Sequence, residues 1–220
     1  MKIVLSLGGS MLSSVERIKR YAEVIDEAAN GKKLFVVTGG GKLARELIEA
    51  ARSLGASEVV CDRIGIAVTR LNATLLAVAS RKAPKVVPET FEEAEALSKL
   101  YDVVVMGGTF PGHTTDATAA LLAEYVGADV LLNATSVDGV YSEDPKTSRD
   151  ATRFDRLTPR QLVEIVSSAA ARAGANVVVD LLAAKIIERS GIKTIVFLGE
   201  PENLARVLRG EVIGTVIEAP

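Results

Sequence analysis

Five short runs of valine, isoleucine and leucine, set apart by longer amphipathic stretches, constrain the fold of this 220-residue chain more than any other feature. They fall at residues 3–7, 34–38, 103–106, 130–134 and 194–198. Each is apolar nearly throughout, as suits a strand covered on both faces. Between them, helical spacing of apolar residues marks 15–29, 43–54, 64–80, 91–100, 116–125, 159–166 and 181–190. Strand and helix in repeated alternation predict an α/β fold, a three-layer α/β/α sandwich around a mostly parallel central sheet. Local signals agree. Thr158 before Pro159 is a capping residue followed by proline at the first helical position. Thr115 before Asp116 sets a hydroxyl and a carboxylate at another helix start. Residues 142–153 lack apolar periodicity and read as a charged surface loop with Asp144-Pro145 as a turn. No Gly/Ser-rich linker divides the chain, so a boundary between two halves, 1–127 and 128–220, is placed just before the run at Val130.

Composition narrows the class. Basic and acidic residues nearly cancel, 26 against 28, for a net charge of -2. A dedicated nucleic-acid binder would carry a basic excess on one face, so no nucleic-acid partner is expected. The single cysteine, Cys61, has no internal disulfide partner and fits a reducing compartment as a small buried apolar residue. The apolar run after Lys2 is too short for a signal core. No run approaches the ~18 apolar residues of a membrane span. A cytoplasmic protein with no membrane partner is expected.

Three glycine turns each follow a predicted strand: Gly8-Gly9-Ser10, Gly39-Gly40-Gly41-Lys42 and Gly107-Gly108-Thr109. All fall at carboxyl ends of strands, the edge where open parallel sheets bind ligands. Glycine there lets a ligand approach main-chain N–H groups, and a helix start just after the second turn adds partial positive charge. Phosphate is the natural occupant; the alternative is three tight strand-to-helix turns and nothing more. No Walker A loop is present, because Gly39–Lys42 runs on as Gly-Lys-Leu without a hydroxyl for a metal. Lys42 and Arg45 lie three apart and share a helix face, either as phosphate ligands or as a solvated basic pair.

The segment from Met106 to Asp116 gathers Thr109, Phe110, Pro111, Gly112, His113, Thr114 and Thr115 into one strand-to-helix loop. Hydroxyls and N–H groups at a helix start can surround a phosphate without net positive charge. His113, the one histidine, reads as a nucleotide contact, a general acid or base, or an ordered loop residue. Asp62 reads either as the cap of the helix over 64–80 or as an acceptor for ribose hydroxyls. Tyr141, beside the Asp138-Gly139 turn, offers a flat ring for a base or for packing.

Taken together, Gly8-Gly9-Ser10, the run Thr38 to Arg45, Asp62-Arg-Ile-Gly-Ile, Arg70-Leu-Asn-Ala, Met106 to Asp116, Val137 to Tyr141 with Asp144-Pro145, and Leu182-Ala-Ala-Lys-Ile-Ile resemble the uridylate kinases of the amino-acid-kinase superfamily, the archaeal type in particular. The resemblance spans nearly the whole chain. It implies an amino-acid-kinase-like fold and transfer of the ATP γ-phosphoryl group to UMP, with Mg²⁺ accompanying ATP. It implies ATP contacts at Gly9, Ser10, Gly41, Arg45, Thr135, Tyr141 and Asp144. It implies UMP contacts at Gly40, Asp62 and the loop from Thr109 to Thr115. The halves 1–127 and 128–220 become the UMP-binding and ATP-binding halves, and a hexamer built from dimers is expected.

Two departures stand out. Ser6 occupies a position where many relatives carry lysine, which leaves Lys42, Arg45 and Mg²⁺ to supply charge, with the amides of Gly9 and Gly41 beside them. Ser136 stands where asparagine is commoner. No carboxylate cluster at metal-cage spacing is visible, so Mg²⁺ is expected to be held by phosphate and water. The competing readings are a kinase of the same fold for another small phosphate or carboxylate acceptor, and a non-catalytic nucleotide-binding oligomer.

Overall fold

The structure is a computed structural model that describes residues 1–143, 145, 148, 150–170 and 178–219. Its strands are β1 (Lys2–Leu7), β2 (Lys33–Thr38), β3 (Val103–Met106), β4 (Val130–Thr135), β5 (Arg156–Leu157), β6 (Thr194–Leu198) and β7 (Thr215–Ile217). Its helices are α1 (Val15–Ala28), α2 (Gly41–Ser53), α3 (Glu58–Ala79), α4 (Phe91–Ser98), α5 (Thr115–Val126), α6 (Pro159–Ala170), α7 (Leu181–Ser190) and α8 (Pro201–Leu208), with a 3-10 turn at Gly9–Leu12.

One sheet runs in the order β3-β2-β1-β4-β6-β7-β5. Its five long strands are mutually parallel, and β7 runs antiparallel to β6. The five apolar runs are these five strands. Alternate residues serve the two faces. Leu5, Val36, Val105, Leu132 and Phe197 pack with α1, α3 and α8 on one side. Val4, Phe35, Val104, Leu131 and Val196 pack with α4 to α7 on the other. Burial on both faces explains why these strands read as unbroken apolar runs.

Several elements differ from their sequence reading. The antiparallel β7, the two-residue β5 and α8 carried no recognised signal. Helix α3 begins at Glu58, six residues before the expected start, so Asp62 lies inside the helix and caps nothing. The cap of α5 is Thr114, not Thr115: its hydroxyl accepts from the Ala117 amide at 3.0 Å. Thr158 does cap α6, with Gln161 completing a reciprocal box at 2.8 and 3.2 Å. Cys61 is buried and unbridged. Gly65 sits in the interior of α3, where glycine costs about 1 kcal/mol relative to alanine. Asp144 lies outside the described residues, as do positions 146, 147 and 149 of the expected loop. The ends of that loop are joined by an antiparallel bridge between Tyr141 and Arg153. Among the described residues no helix is long and apolar enough to cross a membrane.

Candidate active site

The glycine turns after β1, β2 and β3 occupy one rim of the sheet, at the carboxyl ends of adjacent strands. The first two are in backbone contact. A Cβ on Gly9 would lie 2.1 Å from the Gly41 nitrogen and 2.6 Å from the Gly39 carbonyl carbon. One on Gly39 would lie 2.5 Å from the Gly9 nitrogen. Gly41 has φ +67°, and its Cβ would come within 2.7 Å of the Gly9 oxygen. Glycine is therefore required for the two turns to meet at all. Their meeting brings main-chain amides from distant sequence positions to the N-terminus of α2, where the helix dipole favours an anion.

A cleft of about 570 Å³ opens beside these turns. Gly9, Ser10, Gly40 and Gly41 line it with Arg45 of α2. Arg45 is the sole arginine or lysine among the described lining residues. Lys42 lies outside it: its side chain is 84% exposed and pairs with Glu46 at 3.4 Å. The shared helix face thus delivers one of the two basic residues to the cleft.

The opposite wall is the inner face of α3. Asp62 lines the cleft, and one of its carboxylate oxygens accepts from the Gly112 amide at 2.8 Å. This bond ties α3 to the threonine loop. Thr69 Oγ1 accepts from the Gly108 amide at 2.7 Å, and Arg70 Nε donates to the Gly108 carbonyl at 3.2 Å. Asn72 Nδ2 donates to the Gly39 carbonyl at 2.8 Å. One helix therefore holds both the second and the third glycine turn. From the loop, His113, Thr114 and Thr115 reach the cleft. Thr109 and Pro111 are partly buried beside them, and Phe110 is exposed with its ring 6.2 Å from that of His113.

Behind the rim lies a polar group without lysine. Ser6 and Asn133 are register partners on β1 and β4, and both are buried. Ser6 donates to Asp116 Oδ1 at 2.7 Å, and Asn133 also bonds to that carboxylate. Burial pushes Asp116 up to about 6; the Asp180 charge raises it further, and the bonds from Ser6 and Asn133 oppose the rise. Asp180 caps α7 by accepting from the Ala183 amide at 3.0 Å, and it also accepts from the Thr114 hydroxyl. The N-termini of α5 and α7 thus face the same rim.

Further along the rim, Thr135 ends β4, and its carbonyl accepts from Gly199 N at 2.8 Å. The Tyr141 hydroxyl donates to Asp138 at 2.8 Å, and Arg153 pairs with the same carboxylate at 3.0 Å. Thr135 and Tyr141 do not line the 570 Å³ cleft and stand on the other half of the sheet.

A profile of the amino acid kinase family matches residues 1–198. The chain belongs to the amino acid kinase family. It is 66% identical over 218 residues to a uridylate kinase of Archaeoglobus fulgidus, covering 99% of this chain and all of the relative. It is 48% identical over 225 residues to a uridylate kinase of Methanocaldococcus jannaschii, with 99% and 100% coverage. The crystal structure of uridylate kinase from Archaeoglobus fulgidus superposes with a TM-score of 0.92 at 65% identity, covering 99% of this chain and 100% of that one. A UMP kinase from Bacillus anthracis, 23% identical, shares the fold at a TM-score of 0.80, with 99% and 95% coverage.

Within this family member, the residues that sequence reasoning passed over are those acting through tertiary contact. Asp116 was visible only as a carboxylate at a helix start, and Asp180 and Asn133 carried no local motif. Their signal was weak but real: a carboxylate at each of two helix starts facing a strand that carries buried polar residues.

Proposed function

We propose that this chain is a nucleoside-monophosphate kinase that transfers the ATP γ-phosphoryl group to UMP, giving UDP and ADP. One observation carries the reading. Three glycine turns converge on one cleft that also holds Arg45, Asp62 and the threonine loop. The 66% identity to a uridylate kinase supports UMP as the acceptor.

In this reading Gly9, Ser10, Gly41 and Arg45 hold the ATP phosphates. Thr135 and Tyr141, with Asp144, lie on the adenosine side. Gly40, Asp62 and the loop from Thr109 to Thr115 hold UMP. Residues 1–127 form the UMP half and 128–220 the ATP half. Strands β1 to β3 and strands β4 to β7 part between β1 and β4, a point at which ligands bind in open sheets. Phosphoryl transfer needs chiefly alignment and stabilisation of charge. Preorganised amides at Gly9 and Gly41 and the guanidinium of Arg45 supply both. Ser6 takes no charge to the site; it orients Asp116.

Magnesium fits the residues present. Asp116 and Asp180 are two carboxylates at the rim whose mutual repulsion a cation would relieve. No group of three or more potential ligands occurs among the described residues. These two carboxylates would hold Mg²⁺ through water, with nucleotide phosphates supplying the remaining oxygens. Bound there, it would neutralise charge on the transferring phosphoryl group. The chain is further proposed to work in the cytoplasm as a hexamer of three dimers. The outer face of α3 exposes Val60, Leu71, Leu75 and Val78, which suits a partner subunit.

A coupled ADP-release assay with ATP and Mg²⁺ tests the reading across UMP, CMP, dUMP and AMP. UMP should give the highest kcat/KM. ADP release with none of the four would refute it, and turnover with carbamate or an isoprenyl phosphate instead would move the chain to another acceptor.

A further inference from the structure

Gly39, Gly40 and Gly41 follow one another, so the two peptide units that join them have the least intrinsic restraint of any on the rim. Turning either unit over would swing its N–H away from the cleft and its carbonyl oxygen toward it. A group that attracts phosphate would become one that repels it. Helix α2 does not prevent this by itself, because its N-cap is Gly40 and no side chain caps it.

Asn72 of α3 does prevent it. Its Nδ2 donates to the Gly39 carbonyl at 2.8 Å and to the Gly40 carbonyl at 3.4 Å. A side-chain amide nitrogen carries two hydrogens, one for each oxygen. The reverse orientation would set Oδ1 against two carbonyl oxygens. Both peptide units are trans and planar, so C=O and N–H point in opposite directions. The Gly39 carbonyl shares its unit with the Gly40 N–H, and the Gly40 carbonyl shares its unit with the Gly41 N–H. Drawing both carbonyls toward Asn72 therefore aims both N–H groups away from it. Gly40 and Gly41 line the cleft, whereas Asn72 stands outside it. Neither amide has a main-chain acceptor among the described residues.

We propose that Asn72 is a positioning residue for phosphoryl transfer: it hooks two successive carbonyls from behind and so aims the Gly40 amide at the acceptor and the Gly41 amide at the ATP phosphates. One side chain thus aligns donors for both substrates. The inference rests on the kinase reading given above and adds to it a residue outside the cleft.

The test uses the full chain with Asn72→Leu and Asn72→Asp, measuring thermal unfolding and steady-state ADP release with UMP and ATP varied in turn. Leucine is close to asparagine in size and favours the helix, but donates nothing. Aspartate keeps the shape and replaces the donor by an acceptor. At about pH 8 each should lower kcat by roughly 10²-fold, the scale of misplaced reacting groups, while KM for both nucleotides stays within about threefold. A kcat within about twofold of wild type in Asn72→Leu overturns the hook, whatever happens to KM, and decides the matter even where Asn72→Asp fails to fold. A merely structural role predicts the same loss at every pH. Asn72→Asp should behave otherwise, because a protonated carboxyl regains one donor. Half-buried and faced by two carbonyl oxygens, it would keep its proton above the ordinary carboxylate range. Its kcat relative to wild type should rise roughly tenfold from about pH 8 to about pH 5, while that of Asn72→Leu stays level. A level ratio for a folded Asn72→Asp enzyme overturns the hook. These results with an active wild type overturn the hook alone; wild-type protein without UMP-dependent ADP release overturns the kinase reading and the hook together.

Discussion

The two halves of the rim are built from different materials. On the side of β1, β2 and β3, the site is main chain: glycine turns pressed together and pinned by Thr69, Arg70 and Asn72 of one helix. From the β1–β4 seam onward to β6, it is side chain: Ser6 of β1 with Asn133, Asp116 and Asp180 in one group, Tyr141, Asp138 and Arg153 in another. A main-chain site tolerates almost no added atom, because a Cβ on Gly9, Gly39, Gly41 or Gly107 meets backbone that cannot move aside. A side-chain site tolerates substitution but answers to pH, because its members titrate.

The sharpest way to break this contrast is Gly9→Ala. Its Cβ would fall 2.1 Å from the Gly41 nitrogen, so one turn must move. Activity should fall to background, and stability should drop by roughly 3 kcal/mol or more, as for other forced steric changes in packed sites. Denaturant unfolding beside the kinase assay reads both. An active, stable Gly9→Ala protein would show that the turns do not need to touch.

Arg45→Ala comes next. Loss of one donor to the transferring charge should lower kcat by roughly 10²-fold with little change in stability. Lys42→Ala, on the exposed side of the same helix, should leave kcat within about twofold. Equal losses from both would place the charge on the helix as a whole.

The side-chain half should show itself through pH. Asp116 has an ordinary value of 3.8 and rises to about 6 in the folded chain, first through burial. Its protonated form is the one the fold favours. The stability it contributes is complete below pH 4 and is lost as pH climbs through about 6, about 3 kcal/mol in all. Unfolding free energies of nucleotide-free wild type and Asp116→Asn between pH 4 and 7 isolate this slope. The gap between the two proteins should change across that window, and a constant gap would mean that the carboxyl is not perturbed.

The smallest expected effect is at Asp62. Asp62→Asn keeps an oxygen for the Gly112 amide but removes the charge, and should raise KM for UMP by about tenfold while sparing ATP. A matched rise for both substrates would remove Asp62 from the acceptor side.

The same contrast explains what was legible in the sequence. Strands buried on both faces announce themselves as apolar runs, so β1 to β4 and β6 were readable. Strand β5, with two residues, and β7, with three, are too short for any period. Helix α8 opens on Pro201 and was passed over despite its amphipathic face. Glycine turns are legible because no other residue permits the geometry. Asp116, Asn133 and Asp180 were not, because an aspartate at a helix start looks like a cap until the fold brings a buried serine against it. Of the two readings of Asp62, the cap fails for the converse reason: α3 begins at Glu58, four residues before it, and the carboxylate lines the cleft from inside the helix.

A single compound that joins adenosine to uridine through five phosphates addresses both halves at once. If the amides of the two touching turns hold ATP and UMP end to end, this compound should compete with ATP and also with UMP, and should bind far more tightly than either. Competition with one nucleotide and indifference to the other would contradict a shared phosphate channel.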